Sequence, residues 1–406
     1  MKICFLSPSY PKTPDDPRVG FIQPYAEALA KTNEVVVITS TGPKTDTKNK
    51  FEIRNGVKIY RFDYFWPRRL QSLTHTDSGG MSESYKDSFF AKLQVPFFIL
   101  SFSLNAFKHS KDCDVIDAQW LLSGLVALPS KWIHKKPVYC MERDGAIRSF
   151  PKWLSRFIIK RMDLVNAWTP YLEEKVKEVM KPNDKFNLID IKATIDFDRL
   201  EKKGDVKGFK SQFNLKDEKI ITFVGRLVDM KDPLTFVRSI PVVVKEFKNV
   251  KFLMVGDGNL RENVLKEIKS LNVENYIVLT GQRSDIGTVL DCTDIYVATG
   301  KINHCFNASI MEPFYKKIPC IITKAGYDEK GYRHLEDVYL SENDHESLAK
   351  AILELLRNER LRRKLGDAGP KFLKEKGFYN EDIIMKTNET FQKLIGKNNG
   401  NLNTIP

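Results

Sequence analysis

The stretch from Asp294 to Thr323, DIYVATGKINHCFNASIMEPFYKKIPCIIT, restricts the choice of fold more than any other part of the chain. Its apolar runs, Ile295–Ala298 and Ile318–Thr323, are short and read as strands, separated by a loop (Thr299–Cys305) and a helix over about Phe306–Tyr315. Two strands joined through a helix form a βαβ unit, which requires a parallel sheet. Such sheets hold ligands beyond the carboxyl ends of their strands, where a helix N-terminus suits a phosphate. Phe306, Ile310 and Phe314 recur at every fourth position and share one face, which predicts a core face. Glu312 falls nearly opposite, so spacing alone makes it a hydrated surface glutamate.

The same alternation runs through the rest of the sequence. Strands are predicted at Ile3–Ser7, Glu34–Thr39, Asp114–Ala118, Val138–Met141 and Leu164–Ala167, and a hairpin over Phe51–Phe62 turns at Asn55-Gly56. Thr169-Pro170 opens a helix, with threonine as cap and proline in the first turn. After the polar, Lys/Gly-rich Glu201–Gly208 the pattern restarts with strands at Ile220–Val224, Phe252–Val255, Ile277–Thr280 and Val338–Leu340. Asp232-Pro233 is expected to cap one helix, and Asp344 or Ser347 to start another. A length of 406 residues suits two or three domains. The fold class expected is α/β, with two Rossmann-like doubly wound domains facing each other across a ligand-holding cleft. The first domain covers 1–200 and the second 201–377, and a C-terminal helix at about 378–395 packs back on the first.

Lys and Arg exceed Asp and Glu by 13 charges, which favours anionic partners: nucleic acid, acidic lipid or phosphorylated small molecules. The charge is spread along the chain without a helix-turn-helix or RNA-binding signature, so nucleic acid is a minor alternative. Six scattered cysteines without a C-x-x-C pair predict buried, reduced thiols, a cytoplasmic setting, and neither a disulfide framework nor a zinc site. The N-terminal strand follows Met1-Lys2 too closely for a signal peptide. The apolar helix predicted around Leu93–Phe107 is interrupted by polar residues and falls short of a membrane span. Tyr64–Leu70 mixes aromatic and basic residues, which suits either peripheral contact with an anionic membrane or a loop packed on its own domain.

Chemistry concentrates at strand ends. Arg226 and Lys231 stand five apart in the loop beginning at Gly225, where a guanidinium clamp and an ammonium point charge can neutralise a diphosphate leaving group. Gly256-Asp257-Gly258 has the first two glycines of a dinucleotide fingerprint, but Arg261 replaces the third, so hydride transfer is a poor reading. Arg143 and Asp144 follow the Val138–Met141 strand and are acceptor-side candidates. Gly20 precedes the first helix, where backbone N–H groups can approach a phosphate. The aspartate pairs Asp112/Asp114 and Asp196/Asp198 lack a convincing metal-ligand context, and no Walker loop, G-x-S-x-G or H-E-x-x-H occurs.

Taken together, VGRLVDMKDPLTFVRSI, VGDGNLRE, CTDIYVAT, CFNASIMEPFYKKIP, RVGFIQPYAEALA and DVIDAQW give the chain a resemblance, over nearly its whole length, to retaining GT-B glycosyltransferases of the glycogen-synthase-like, group 1 (family 4) type. The resemblance implies that Arg226 and Lys231, next to Gly225, bind the donor diphosphate and that Glu312 takes the ribose hydroxyls. It further implies that backbone amides near Phe306 and Asn307 hold sugar and phosphate, with Gly20 close to the diphosphate. His304 stands where the family has a sugar-contacting glutamate. Arg143-Asp144-Gly145-Ala146 replaces its His-Gly-x-Asp, and Ala193-Thr194-Ile195-Asp196 its Asn-Gly-Val-Asp. The implied activity is sugar transfer from a nucleotide-diphosphate sugar to a glycan or lipid-linked acceptor, without metal or other cofactor. Two other functions fit the same fold: a nucleotide-sugar epimerase, and a non-catalytic binding protein.

Overall fold

The computed structural model describes the chain apart from residues 14–21, 44–49, 76–80, 82–83, 86–87, 144–146, 148–149, 203, 302–307, 325–330 and 399–406. It separates into two compact units, one of Met1–Thr194 with the C-terminal segment from Tyr379, the other of Ile195–Phe378.

The first unit is built on an eight-stranded sheet of β1 (Lys2–Leu6), β2 (Glu34–Ser40), β3 (Phe51–Arg54), β4 (Val57–Phe62), β5 (Val115–Gln119), β6 (Val138–Met141), β7 (Leu164–Asn166) and β8 (Leu188–Ile189). Its order is β3-β4-β2-β1-β5-β6-β7-β8, parallel except for the β3–β4 hairpin. That hairpin turns at Asn55 (φ 45) and Gly56 (φ 81), the paired positive φ of a tight two-residue turn. The central strands are buried on both faces, which explains their unbroken apolar runs. Helix Asn380–Asn398 returns to this core: Ile383, Phe391 and Leu394 are buried there, and Phe391 meets Tyr139 edge-on at 5.3 Å. Thr169 caps the helix Pro170–Val179 by accepting the Leu172 N–H at 3.1 Å.

The second unit has β9 (Lys219–Val224), β10 (Val250–Val255), β11 (Ile277–Gly281), β12 (Ile295–Ala298), β13 (Cys320–Thr323) and β14 (Tyr339–Ser341) in the order β11-β10-β9-β12-β13-β14, all parallel. The chain moves outward from β9 to β11, then returns to the other side of β9 for β12. The gap between β9 and β12 is therefore the topological switch point, where the flanking connections diverge and leave a crevice. Helices Pro233–Glu246 and His345–Arg357 cover one core, with Phe236, Ile240, Leu348 and Ile352 buried against Phe223 and Phe252. Asp344 caps the second of these helices, accepting the Ser347 N–H at 2.8 Å. Asp232 and Pro233 take the N-cap and first helical positions as expected, but Asp232 is left-handed (φ 43) and its carboxylate accepts the Thr235 hydroxyl at 2.7 Å instead of a backbone N–H.

The units part before Ile195 rather than after Leu200. Residues 195–201 stay with the second unit because Phe197 stacks on Tyr315 (centroids 4.6 Å, planes 10° apart) and Arg199 pairs with Glu312. The second and larger departure concerns the apolar helix, which runs over Phe89–Ser110 and is long and apolar enough to cross a membrane. Its inner residues Phe98 and Phe102 pack against Phe62 and Tyr64 in the first unit.

Candidate functional site

At the switch point, the loop after β9 is held by backbone on both sides of Arg226. Gly225 N–H donates to Val255 O at 2.9 Å, Leu227 N–H to Asp257 O at 2.9 Å, and Leu260 N–H to Leu227 O at 2.9 Å. Leu227 is buried, while Arg226 between these anchors is exposed. The Gly256-Asp257-Gly258 turn is thus a brace for the arginine loop. Gly256 has φ +140, and a Cβ there would lie 1.9 Å from Gly225 O; one on Gly258 would lie 2.4 Å from Leu227 O. Gly256→Ala is expected to destabilise the unit by about 3 kcal/mol and to weaken nucleotide binding by shifting Arg226. Thermal unfolding and calorimetric nucleotide titration check both effects.

Lys231 closes the same loop, its Cγ 4.0 Å from where a Gly225 Cβ would stand. The carbonyls of Lys231 and Asp232 accept the Thr299 hydroxyl at 2.8 and 2.9 Å. Lys301 N–H donates to Met230 O at 3.1 Å, and its ammonium pairs with Asp229. Gly300 N–H donates to the Thr323 hydroxyl at 3.2 Å. The loops after β9 and β12 are therefore one hydrogen-bonded structure. Thr299, Asp229 and Lys301 were not singled out in the sequence; the only signal was a threonine placed directly at the end of a strand.

Glu312 lies on helix Ala308–Tyr315 and is only 4% exposed, which overturns its reading as a hydrated surface residue. Burial pushes its carboxyl up, and the Arg199 guanidinium, hydrogen-bonded to Oε1, pulls it back. Helix periodicity failed here because two layers cover this short helix: Phe314 meets Phe372 at 5.2 Å, while the 195–201 segment covers Tyr315 and Glu312. Arg199 is 113 residues from its partner, and no spacing rule could find the pair. Of the other donor-side residues predicted, Gly20, His304, Phe306 and Asn307 lie outside the described residues.

In the first unit, Asp144 also lies outside the described residues. Arg143 has internal partners: its Nε donates to Gln119 Oε1 at 2.7 Å, and Gln119 Nε2 donates to Asp117 Oδ1 at 2.6 Å. Its guanidinium stands 5.8 Å from the Tyr25 ring centroid. Next to it Glu142 is fully buried and accepts the Leu121 and Ile147 N–H groups at 3.2 and 3.3 Å. Asp117 is also fully buried, and burial pushes its carboxyl up to about 7 against the pull of Arg143. Between its unfolded value near 3.8 and about 7 the native state holds the extra proton, so the stability this group permits falls as pH rises. Asp117→Asn removes that dependence. Relative to the variant, the wild type is expected to lose up to about 4 kcal/mol between pH 4 and pH 8, read from denaturant unfolding at each pH.

Residues 206–372 match the family model described as glycosyl transferases group 1. The N-acetyl-alpha-D-glucosaminyl L-malate synthase of Bacillus anthracis is 26% identical over 246 residues, 60% of this chain and 62% of that protein. The UDP-Gal:alpha-D-GlcNAc-diphosphoundecaprenol alpha-1,3-galactosyltransferase of Escherichia coli is 27% identical over 158 residues, 38% of this chain and 40% of its own length. Among solved structures, Anabaena HepE in complex with UDP and glucose superposes with a TM-score of 0.74 at 15% identity, covering 97% of this chain and 100% of its own. Over residues 206–372 the chain is thus similar to the group 1 glycosyl transferases, and its two parallel-sheet units share the GT-B fold.

Proposed function

We propose that the chain moves a hexose or related sugar from a nucleotide-diphosphate sugar to a glycan or lipid-linked acceptor, with retention at the anomeric carbon. The observation that carries this reading is the rigid display of Arg226 and Lys231 at the switch point of the second unit, on a loop tied to its neighbours by backbone and Thr299 hydrogen bonds. As the anomeric C–O bond to the diphosphate breaks, negative charge grows on the leaving oxygens. A cationic loop that is already in place stabilises that charge without reorganising. Arg226 can clamp two oxygens, and Lys231 adds a point charge. The departing phosphate oxygen takes the acceptor hydroxyl proton on the same face of the sugar, so the reading needs neither a metal nor a separate base. Glu312 is the candidate ribose ligand, and its pairing with Arg199 sets the direction in which its carboxylate points.

A neighbour in fold that holds UDP and glucose supports a uridine nucleotide sugar as the first donor to try. A relative named for transfer to a diphosphoundecaprenol-linked sugar supports a lipid-linked acceptor. The test is a thermal-shift screen of nucleotide sugars. A donor at about 100 times its Kd stabilises by about 2.7 kcal/mol. Donors that stabilise are then assayed for product with and without acceptor. A new nucleotide sugar formed without acceptor would identify an epimerase. The absence of any stabilising nucleotide sugar would defeat the reading.

A further inference from the structure

Helix Phe89–Ser110 has two apolar faces: one is packed into the first unit, and the other, apart from the contacts of Phe65 with Phe90 and Phe97, is exposed among the described residues. Ala91, Phe98, Phe102 and Ala106 are buried in the first unit. Phe89, Leu93, Phe97, Leu100 and Leu104, at spacings of three and four, form a stripe on the other side and are 54–76% exposed. The stripe is about 22 Å long at 1.5 Å per residue. Exposed apolar surface of this extent marks a contact face, because water gains nothing from it.

The loop singled out in the sequence extends this face, with a different division of roles. Tyr64 is 3% exposed and belongs to the interior, its hydroxyl accepting the Leu73 and Thr74 N–H groups at 3.0 and 3.3 Å. Arg68 is committed to Asp63 at 2.7 and 3.1 Å. Phe65 locks the loop to the helix, edge-on to Phe90 and Phe97 at 5.6 and 5.8 Å. Gln94 Nε2 bonds Leu70 O at 2.8 Å. This leaves Trp66, 88% exposed, with Arg69 and Leu70 also exposed on the same loop.

We propose that the outer face of helix Phe89–Ser110 lies in the headgroup–acyl boundary of an anionic lipid bilayer, with Trp66 and Arg69 at its rim. The helix contains no Asp or Glu, and its exposed Lys92 and Lys108 leave it positively charged. Apolar stripe, rim aromatic and cations together are what an interfacial helix needs: chain burial in the acyl region, an indole at headgroup level and attraction to anionic lipid. Spanning is excluded by the inner face, which Phe98 and Phe102 commit to the core of the first unit. A second copy of the chain fits less well, since a two-fold contact through this face brings together two positively charged helices without an acid on either to balance them. The surface stands independently of the donor chemistry.

The test is co-sedimentation of the full chain with phosphatidylglycerol/phosphatidylcholine vesicles, without donor or acceptor, beside the variant L93Q/L100Q/L104Q. The wild type is expected to bind anionic vesicles more tightly than pure phosphatidylcholine, and the variant to lose at least about tenfold. These side chains face solvent, so the variant should keep the wild-type melting temperature and nucleotide-sugar response. Equal binding by variant and wild type, equal binding to neutral vesicles, or a wild type left in the supernatant at low salt overturns the proposal. So does a dimer, seen by light scattering, that the variant breaks while vesicles bind neither protein. Vesicle binding by a chain that no nucleotide sugar stabilises would uphold this surface and defeat the transferase reading.

Discussion

Arg226→Ala and Lys231→Ala are each expected to lower kcat for sugar transfer by about 10²–10³-fold, a loss of roughly 3–4 kcal/mol of transition-state stabilisation. The size follows from where the charge appears. In the ground state the diphosphate is already anionic and partly solvated, so removing one cation weakens donor binding modestly. At the transition state the leaving oxygen gains charge, and a fixed cation contributes most at that point. The loss should therefore fall more on kcat than on the donor KM. Arg226 is exposed, so its alanine variant should fold with unchanged stability. Lys231→Arg should restore only part of the rate, because a planar fork does not reproduce a compact ammonium. The two positions serve one leaving group, so the double variant should lose less than the product of the single effects. Steady-state kinetics with saturating acceptor reads all of these, and wild-type turnover in both alanine variants would remove the pair from the mechanism.

Arg199→Ala carries the second large effect, and it falls on stability first. It leaves the Glu312 carboxylate, 4% exposed, without its cation. Stranding a buried charge costs about 3–5 kcal/mol when both partners are fully enclosed. The Arg199 side chain is 42% exposed and shares its charge with water, so about 2–3 kcal/mol is expected here. For a unit of this size that corresponds to a fall of about 5–10 °C in melting temperature. Adding Glu312→Gln to Arg199→Ala removes the stranded charge and should recover much of the loss. A double-mutant cycle by thermal unfolding measures the coupling, and additive single effects would show that the pair does not act as one. The same cycle read by nucleotide calorimetry separates a structural glutamate from a ribose ligand. Only a ligand loses nucleotide affinity in Glu312→Gln when Arg199 is intact.

Local rules worked where a signal is carried by neighbours in the chain. The Asn55-Gly56 hairpin, the Thr169 and Asp344 caps and the β12 strand of the opening stretch follow from residues within a few positions of each other. The position of the loop that carries Arg226 and Lys231 was legible for the same reason: it leaves the end of a buried apolar strand, β9, in a parallel sheet. Misreadings arose where burial depends on distant partners. Glu312 looked solvated on a helical wheel, but a wheel assumes one covered face and this helix has more than one. Arg143 was named for its place after β6, and no local rule could show that its Nε bonds Gln119 on the adjoining strand, which in turn bonds Asp117. The Phe89–Ser110 helix looked like an ordinary cover, whereas its outer face was left open.

From the stretch Asp294–Thr323 and its counterparts, the alternation of short apolar runs with helices was enough to require parallel sheets, and strand ends were enough to place the cations. Hydrophobic periodicity acts over one or two turns, so it needs no knowledge of the rest of the chain. The order β11-β10-β9-β12-β13-β14, which makes the gap beside β9 a switch point, came from packing. So did the brace of Gly256 against Gly225 and the partner of Glu312. Each depends on contacts between segments tens of residues apart or more, and which segment covers which is decided by the total surface the fold can bury.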